Sequence, residues 1–324
     1  MKSFPGFLSE LQEQLENLPV DCIERVNRDG GLEIADFLDL VSKPRDYTVV
    51  SPEAPTECNL IKHEHIELDS FWTGREALVS GKAAHAVICH ENLLSELPAS
   101  NISQLGMILM RLSWVKEVWI LVDPSHEDAV RKICESVGSK AALIFSYQTF
   151  LLRADNLLEI RESCPVLRPC GSGDLISSIK NSEIYNDFLS HGGEYIVACS
   201  KENLLGAKPS VLGHHILSKN NVTCEVTEKL DGDDRPLLCM HGGFEQLVEM
   251  HRFSSFADSE DLNLAYSGTT IFNCSLDFDS FKWKWHRRKV VQDKKSVVFF
   301  ERTLCDLTAN FQSNFVHTSR RYTG

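Results

Sequence analysis

A carboxylate and an amide, Glu202 and Asn203, follow directly on an apolar run, Tyr195-Ile196-Val197-Ala198-Cys199. That run reads as a buried strand. In open α/β sheets ligands bind beyond the carboxyl ends of the strands, so the pair falls where a ligand-facing loop belongs. Upstream, Gly171-Ser172-Gly173-Asp174 makes a tight turn that opens a helix-like run. Two further clusters could do chemistry. His63-Glu64-His65 could offer a metal two imidazoles, but no further ligand is placed by spacing, and a solvated turn is the plainer reading. In Phe281–Lys289, "FKWKWHRRK", aromatic and basic residues alternate. A strand with one packed face and lysine stems lying along it explains this better than RNA stacking does.

The elements that must position these residues follow from periodicity. Phe7, Leu8, Leu11, Leu15 and Leu18 recur at helical spacing, and Leu32 to Val41 gives a second helix after Gly30-Gly31. Residues 46–75 read as polar and irregular, with Pro52 and Pro55. Beyond residue 80 short apolar strands alternate with helices. Strands are expected at 84–89, 115–122, 141–145 and 194–199, with a helix from Ile102 to Leu112. A second helix starts from an Asp123 or Ser125 cap and ends at Gly138. Such alternation predicts βαβ units and a mostly parallel sheet. After residue 220 "NNVTCEVTEK", "FEQLVEM", "GTTIFNCSLDF" and "KKSVVFFE" read as β structure.

Composition narrows the function classes. The 324 residues carry a net charge of −13, which argues against a general binder of nucleic acid or anionic membranes. No apolar run reaches the roughly 18 residues of a membrane span. Eleven cysteines, an odd number scattered singly with no C-x-x-C pair, predict free thiols in a reducing compartment. With no leader visible, a cytoplasmic location is expected.

Taken in order, these segments resemble the UTP–glucose-1-phosphate uridylyltransferase (UDP-sugar pyrophosphorylase) family. "PCGSGDLISSIKNSEIYNDFLSHGGEYIVACSKENLLGA" is similar to the family's P-P-G-H-G-D … G-x-E-Y-x-x-V-S-N-x-D-N-L-G-A segment. "CEVTEK" resembles its M-E-V-T-x-K, "FEQLVEM" its L-V-E-I, "TTIFNCS" its F-N-T-N-N and "TSRRYTG" its P-R-S-R-F. "RRKVVQD" stands where the family has N-x-K-T, and "SVVFFERT" where it has V-I-Q-L-E-T. The resemblance covers roughly residues 80–324 and stops short of the family's C-terminal left-handed β-helix.

It implies a three-layer, Rossmann-like nucleotidyltransferase (GT-A-like) α/β domain with a mixed, mostly parallel sheet over residues 80–324. A helical preface and irregular segment would fill 1–79. The implied reaction is attack of glucose 1-phosphate on the α-phosphate of UTP, giving UDP-glucose and pyrophosphate. Such chemistry rests on positioning and charge neutralisation. By resemblance Glu202 takes the position of the Mg²⁺-binding aspartate, Gly171 lies at the uracil-contacting turn, and Asn203 supports the loop. Lys229, Glu249 and Asn273 fall at sugar and phosphate contacts, and Lys289 on a catalytic lysine. The implied partners are a nucleotide sugar such as UDP-glucose or a sugar 1-phosphate, with a protein partner or homo-oligomer also open.

The departures from the pattern are specific. The family's first strand runs into G-G-x-G-T-x-x-G … G-P-K, whose backbone N–H groups cradle the triphosphate. Here "AHAVIC" continues into "HENLLSELPASNISQL", with no glycine between Lys82 and Leu105 and no lysine between Lys82 and Lys116. The histidine of G-H-G-D is Ser172. The expectation is a preserved scaffold with its triphosphate end dismantled. Little or no UDP-glucose should then form, and residual affinity should favour the nucleotide sugar over UTP. A catalytically inactive relative, serving as nucleotide-sugar binder or regulatory subunit, is the alternative to an enzyme; an RNA binder acting through residues 281–289 is the second.

Overall fold

Fully apolar strands separated by helices must pair in parallel, because each helical crossover returns the chain to run in the same direction. The computed structural model has this arrangement. It describes residues 4–20, 34–42, 52–55, 59–97, 102–162, 164–180, 182–200, 208–253, 260–278, 281, 283–292 and 294–319. None of the helices among these residues is long and apolar enough to cross a membrane.

The chain divides into two compact units. The larger comprises Tyr47–Phe145, Leu175–Lys282 and Leu304–Gly324, and the smaller Met1–Asp46, Ser146–Asp174 and Trp283–Thr303. Residue 79, where the sequence suggested a boundary, lies inside the helix Leu68–Ser80 of the larger unit.

The larger unit is built on one sheet. Its strands run in the order Leu60–Lys62, Ser313–His317, Val222–Glu228, Leu264–Asn273, Tyr195–Cys199, Ala83–Ile88, Glu117–Val122, Ala142–Phe145. Each neighbouring pair is parallel, except that Leu264–Asn273 runs antiparallel to both its neighbours. A hairpin, Leu237–His241 with Phe244–Val248, joins Leu264–Asn273 at the single pair Leu237↔Ala265. The four strands expected from the alternating pattern are therefore neighbours, with Tyr195–Cys199 in the interior. Ala83–Ile88 is buried along its whole length, as a strand covered on both faces must be. Val87, Ile120, Val197 and Ile271 pack there with Leu105, Leu109 and Leu212 from the helices.

Local signals set the helix ends. The Ser103 hydroxyl accepts from Gly106 N at 3.1 Å and caps Gln104–Arg111. Asp123 accepts from Ser125 N at 2.9 Å, and Gly138, at φ 67°, closes Glu127–Val137. One helix was not foreseen. Leu68–Ser80 occupies part of the stretch expected to be irregular. Its buried face is Ser70, Gly74, Ala77 and Leu78, all but the last small residues, which give little apolar periodicity. That face lets the helix Pro209–Ser218 approach closely. A Cβ on Gly74 would stand 1.9 Å from the Pro209 carbonyl oxygen, and one on Gly213 1.6 Å from that of Ser70.

In the smaller unit the helices Phe4–Glu16 and Ile34–Ser42 turn Phe7, Leu11, Leu15 and Phe37 onto Phe150, Leu152, Val298 and Phe300. Phe37 meets the rings of Phe150 and Phe300 edge-on, at 5.2 and 5.8 Å. The amino-terminal helices thus complete a core instead of prefacing one. The strand expected through Phe281–Lys289 begins only at His286. Trp283 and Trp285 serve another purpose: their ring centres lie 5.9 and 4.6 Å from the guanidinium carbon of Arg302, which is ion-paired with the buried Asp174. The Arg302 guanidinium thus engages both rings within the unit.

Candidate functional site

Because Tyr195–Cys199 is interior and points the same way as Ala83–Ile88 and Val222–Glu228, their carboxyl ends open on one side of the sheet. Glu202 and Asn203, called from the sequence for that side, lie outside the described residues. What the structure does place there is a polar cluster set into the sheet. Cys199 pairs with Thr269, and Ser200 N donates to Gly268 O at 2.8 Å. The Cys199 thiol lies 3.6 Å from His85 Nε2 and 3.8 Å from Thr269 Oγ1. On the strand beyond, Glu225 is 1% exposed. It accepts from the Thr318 hydroxyl at 3.0 Å and pairs with Lys208 Nζ at 3.4 Å. Ser267 Oγ donates to the Glu225 carbonyl at 3.1 Å.

This cluster has the chemistry of an anion site, not of a nucleophile. Burial pushes the Cys199 thiol up to about 12 against the pull of the Lys208 ammonium, so it stays protonated at neutral pH. A lysine and several hydroxyls can hold phosphate or sugar oxygens. Among the described residues no group of three or more His, Cys, Asp and Glu could hold a metal ion. They do not by themselves fit Mg²⁺. His63-Glu64-His65 is an exposed 3₁₀ turn with none of its residues buried.

The structure separates the other sequence-derived positions. Lys229 follows Val222–Glu228 directly, and its N–H donates to Asn263 O at 2.8 Å. Glu249 follows Phe244–Val248 and is buried. Val248 pairs with Leu237, Leu237 with Ala265, and Ala265 with Thr227, so Lys229 and Glu249 are gathered at the start of the long antiparallel strand. Asn273 is the last residue of that strand and pairs with Tyr195, at the amino end of the central strand. Eight residues of extended chain separate Asn273 from Ala265, about 26 Å at 3.3 Å per residue. The Asn273 amide is also engaged: Oδ1 accepts from His215 Nε2 at 2.8 Å and Nδ2 donates to Asn220 O at 3.0 Å.

Gly171 and Lys289 belong to the smaller unit. Lys289 is exposed on His286–Gln292. Gly171 sits at φ +90°, and a Cβ there would lie 2.5 Å from Arg302 O. At Gly173 a Cβ would meet the Trp283 ring at 2.7 Å and the Arg302 carbonyl carbon at 2.9 Å. Around them Arg302 N donates to Cys170 O at 2.7 Å and Gly173 N to Arg302 O at 3.0 Å. Both glycines are needed because the turn wraps a neighbouring backbone.

The segment after Ala83–Ile88, where the family pattern has a glycine cradle, includes the 3₁₀ turn Glu91–Leu94. Its Leu93 is buried in the core. The two lysines flanking that strand lie at its other end. Lys82 pairs with Glu194 at 3.5 Å, and Lys116 Nζ donates to Ser80 O at 3.1 Å.

Sequence reasoning missed Lys208, Glu225, Thr269 and Thr318. Glu225 alone left a trace, as a charged residue inside the otherwise uncharged run Val222 to Thr227.

Comparison with known proteins agrees with this architecture. Several solved structures share the fold at low identity. A UDP-glucose pyrophosphorylase variant from Leishmania major superposes with a TM-score of 0.70 at 12% identity, covering 95% of this chain and 77% of that one. Another variant of it, in complex with UDP-glucose, gives 0.68 at 12% identity over 95% and 77%. The UDP-N-acetylglucosamine pyrophosphorylase of Trypanosoma brucei gives 0.68 at 12% identity over 99% and 80%. In sequence, a UTP--glucose-1-phosphate uridylyltransferase of Pyrus pyrifolia is 36% identical over 84 residues. That match spans 25% of this chain and about a fifth, 18%, of the relative's length. Residues 139–275 match the family described as UTP--glucose-1-phosphate uridylyltransferase, and it is to this family that the chain is similar.

Proposed function

We propose that the chain is a nucleotide-sugar-binding member of this family in which uridylyl transfer is slow or absent. The observation that carries the reading is the 3₁₀ turn Glu91–Leu94 at the end of Ala83–Ile88, with Leu93 anchored in the core. A triphosphate needs backbone N–H groups that glycine makes approachable. A turn whose side chain is packed inward offers no such cradle. Losing several charge-assisted contacts at roughly 1.5–3 kcal/mol each should weaken UTP binding by orders of magnitude. The sugar side of the reading draws support from Lys229 and Glu249, gathered at the start of Leu264–Asn273, and from the relative solved with UDP-glucose.

Calorimetric titration with UDP-glucose and with UTP, each with and without Mg²⁺, tests the binding half. UDP-glucose should bind, and UTP should bind far more weakly. A coupled pyrophosphate-release assay tests the other half. Turnover at about 1 s⁻¹ or above, the ordinary scale for an enzyme, would establish a working uridylyltransferase and defeat the reading.

A further inference from the structure

We infer that Lys208 is the phosphate-binding cation of this chain, taking over in part the charge that the glycine cradle and its lysine would supply. The inference rests on the nucleotide-sugar reading above and names the residue that would hold the ligand's diphosphate.

Position is the first argument. Lys208 immediately precedes the helix Pro209–Ser218, on the side of the sheet where Cys199 ends its strand, and its side chain reaches Glu225 midway along Val222–Glu228. Its backbone is left-handed, φ 50° and ψ 47°, a conformation a lysine keeps only where its surroundings over-determine it. The surroundings do so. Leu212 N donates to Lys208 O at 3.0 Å, and the glycine-to-glycine crossing fixes the helix on Leu68–Ser80. The ammonium therefore starts from a rigid base.

Charge is the second. The Lys208 side chain is 15% exposed, while its partner Glu225 is 1% exposed and holds its other oxygen to Thr318. Glu225 is the anchored member and Lys208 the one that faces out. An ammonium has three N–H donors and Glu225 takes one. A buried Lys–Glu pair adds little net stability over an apolar pair of the same size, because desolvation offsets the attraction. Retaining it at the carboxyl end of the sheet therefore suits a ligand-facing role. Lys82 and Lys116, the nearest lysines in sequence to the missing cradle, are committed at the opposite end of their strands.

Two variants with opposite expected signs make the test. Lys208→Met should weaken binding of UDP by roughly 10- to 100-fold, towards the affinity of uridine, and leave uridine unaffected. Glu225→Gln should strengthen UDP binding, because it removes the negative charge that competes for the ammonium. The neutral double variant Lys208→Met/Glu225→Gln keeps the packing if the single lysine variant fails to fold, and should bind UDP as weakly as uridine. Loss of UDP affinity in both single variants would mean the pair is structural and would overturn the inference. So would unchanged UDP affinity in Lys208→Met and in the double variant. In either case wild-type binding of UDP-glucose would still stand, leaving the broader reading intact. A wild-type chain that binds neither UDP nor UDP-glucose would fail that reading first, and this inference with it.

Discussion

The two ends of the central sheet are built differently. At the amino ends of the parallel strands His215 bridges the Thr223 hydroxyl and the Asn273 amide, 2.8 Å from each, and the same amide reaches Asn220 O. Tyr185 donates its hydroxyl to Cys274 O at 3.3 Å, and its edge of the sheet is closed by Lys82 with Glu194. At the carboxyl ends the described contacts include a thiol beside an imidazole and a lysine paired with a carboxylate at 3.4 Å. A hydrogen-bonded network of buried groups specifies a fold. A charged pair with donors to spare suits a ligand. One helix, Pro209–Ser218, links the two, with Lys208 at its start and His215 one turn from its end.

Because that helix serves both ends, disrupting its seat should have the largest effect. Gly213→Val would press a side chain against the Ser70 backbone, since even a Cβ would stand 1.6 Å from Ser70 O. The expected loss exceeds about 4 kcal/mol, at the exceptional end for single changes. Circular dichroism of purified protein should show an unfolded or strongly destabilised chain. A folded variant with native Tm would show that the crossing does not hold the helix.

Acid should act next, at the amino end. Burial holds His215 down to about 4 from its ordinary 6.5. Between those values the unfolded chain binds the proton and the folded one does not, so stability is intact above pH 6.5 and falls as pH drops towards 4. The full effect is on the order of 3 kcal/mol. Urea melts of wild type and His215→Asn across this window should differ in slope, the variant being flatter. Parallel pH dependence in the two would exclude His215 as the source.

Asn273→Ala should cost a further, smaller amount, about 1–3 kcal/mol, by leaving the buried His215 N–H without its acceptor. Since Asn273 lies at the amino end, the folded variant should bind UDP-glucose as wild type does. Weakened binding in calorimetry, with Tm corrected for, would return Asn273 to the ligand site. The smallest change is expected at Lys289, which is exposed. Lys289→Ala should leave Tm within about 2 °C of wild type. Any change in UDP-glucose affinity would then report a ligand contact free of folding effects.

The parallel core was legible because fully buried strands must be apolar and the helices between them carry caps: Ser103, Asp123 and Gly138 stand where the chain stops and starts. The helix Leu68–Ser80 was illegible because it packs through glycine and alanine, which leave no periodic stripe. Long-range pairing hid the rest. Gly171-x-Gly173 has the look of a ligand turn, but its glycines admit the backbone of Arg302, more than a hundred residues away. Asn273 was placed by its local motif, while the register put it at the far end of its strand. Lys208 carried no signal at all, since its partner Glu225 is met only across the fold.

The stacking of Trp283 and Trp285 on Arg302 also gives the smaller unit its own optical reporter. The chain has five tryptophans. These two are the smaller unit's pair, while Trp72, Trp114 and Trp119 belong to the larger unit. Trp119 is fully buried and Trp72 is 56% exposed, so the larger unit's emission mixes blue and red components. Replacing Trp72, Trp114 and Trp119 with phenylalanine would leave fluorescence that follows the smaller unit alone, and replacing the stacked pair would leave the larger. Whether the two melt as one body or in sequence then becomes a matter of comparing two curves.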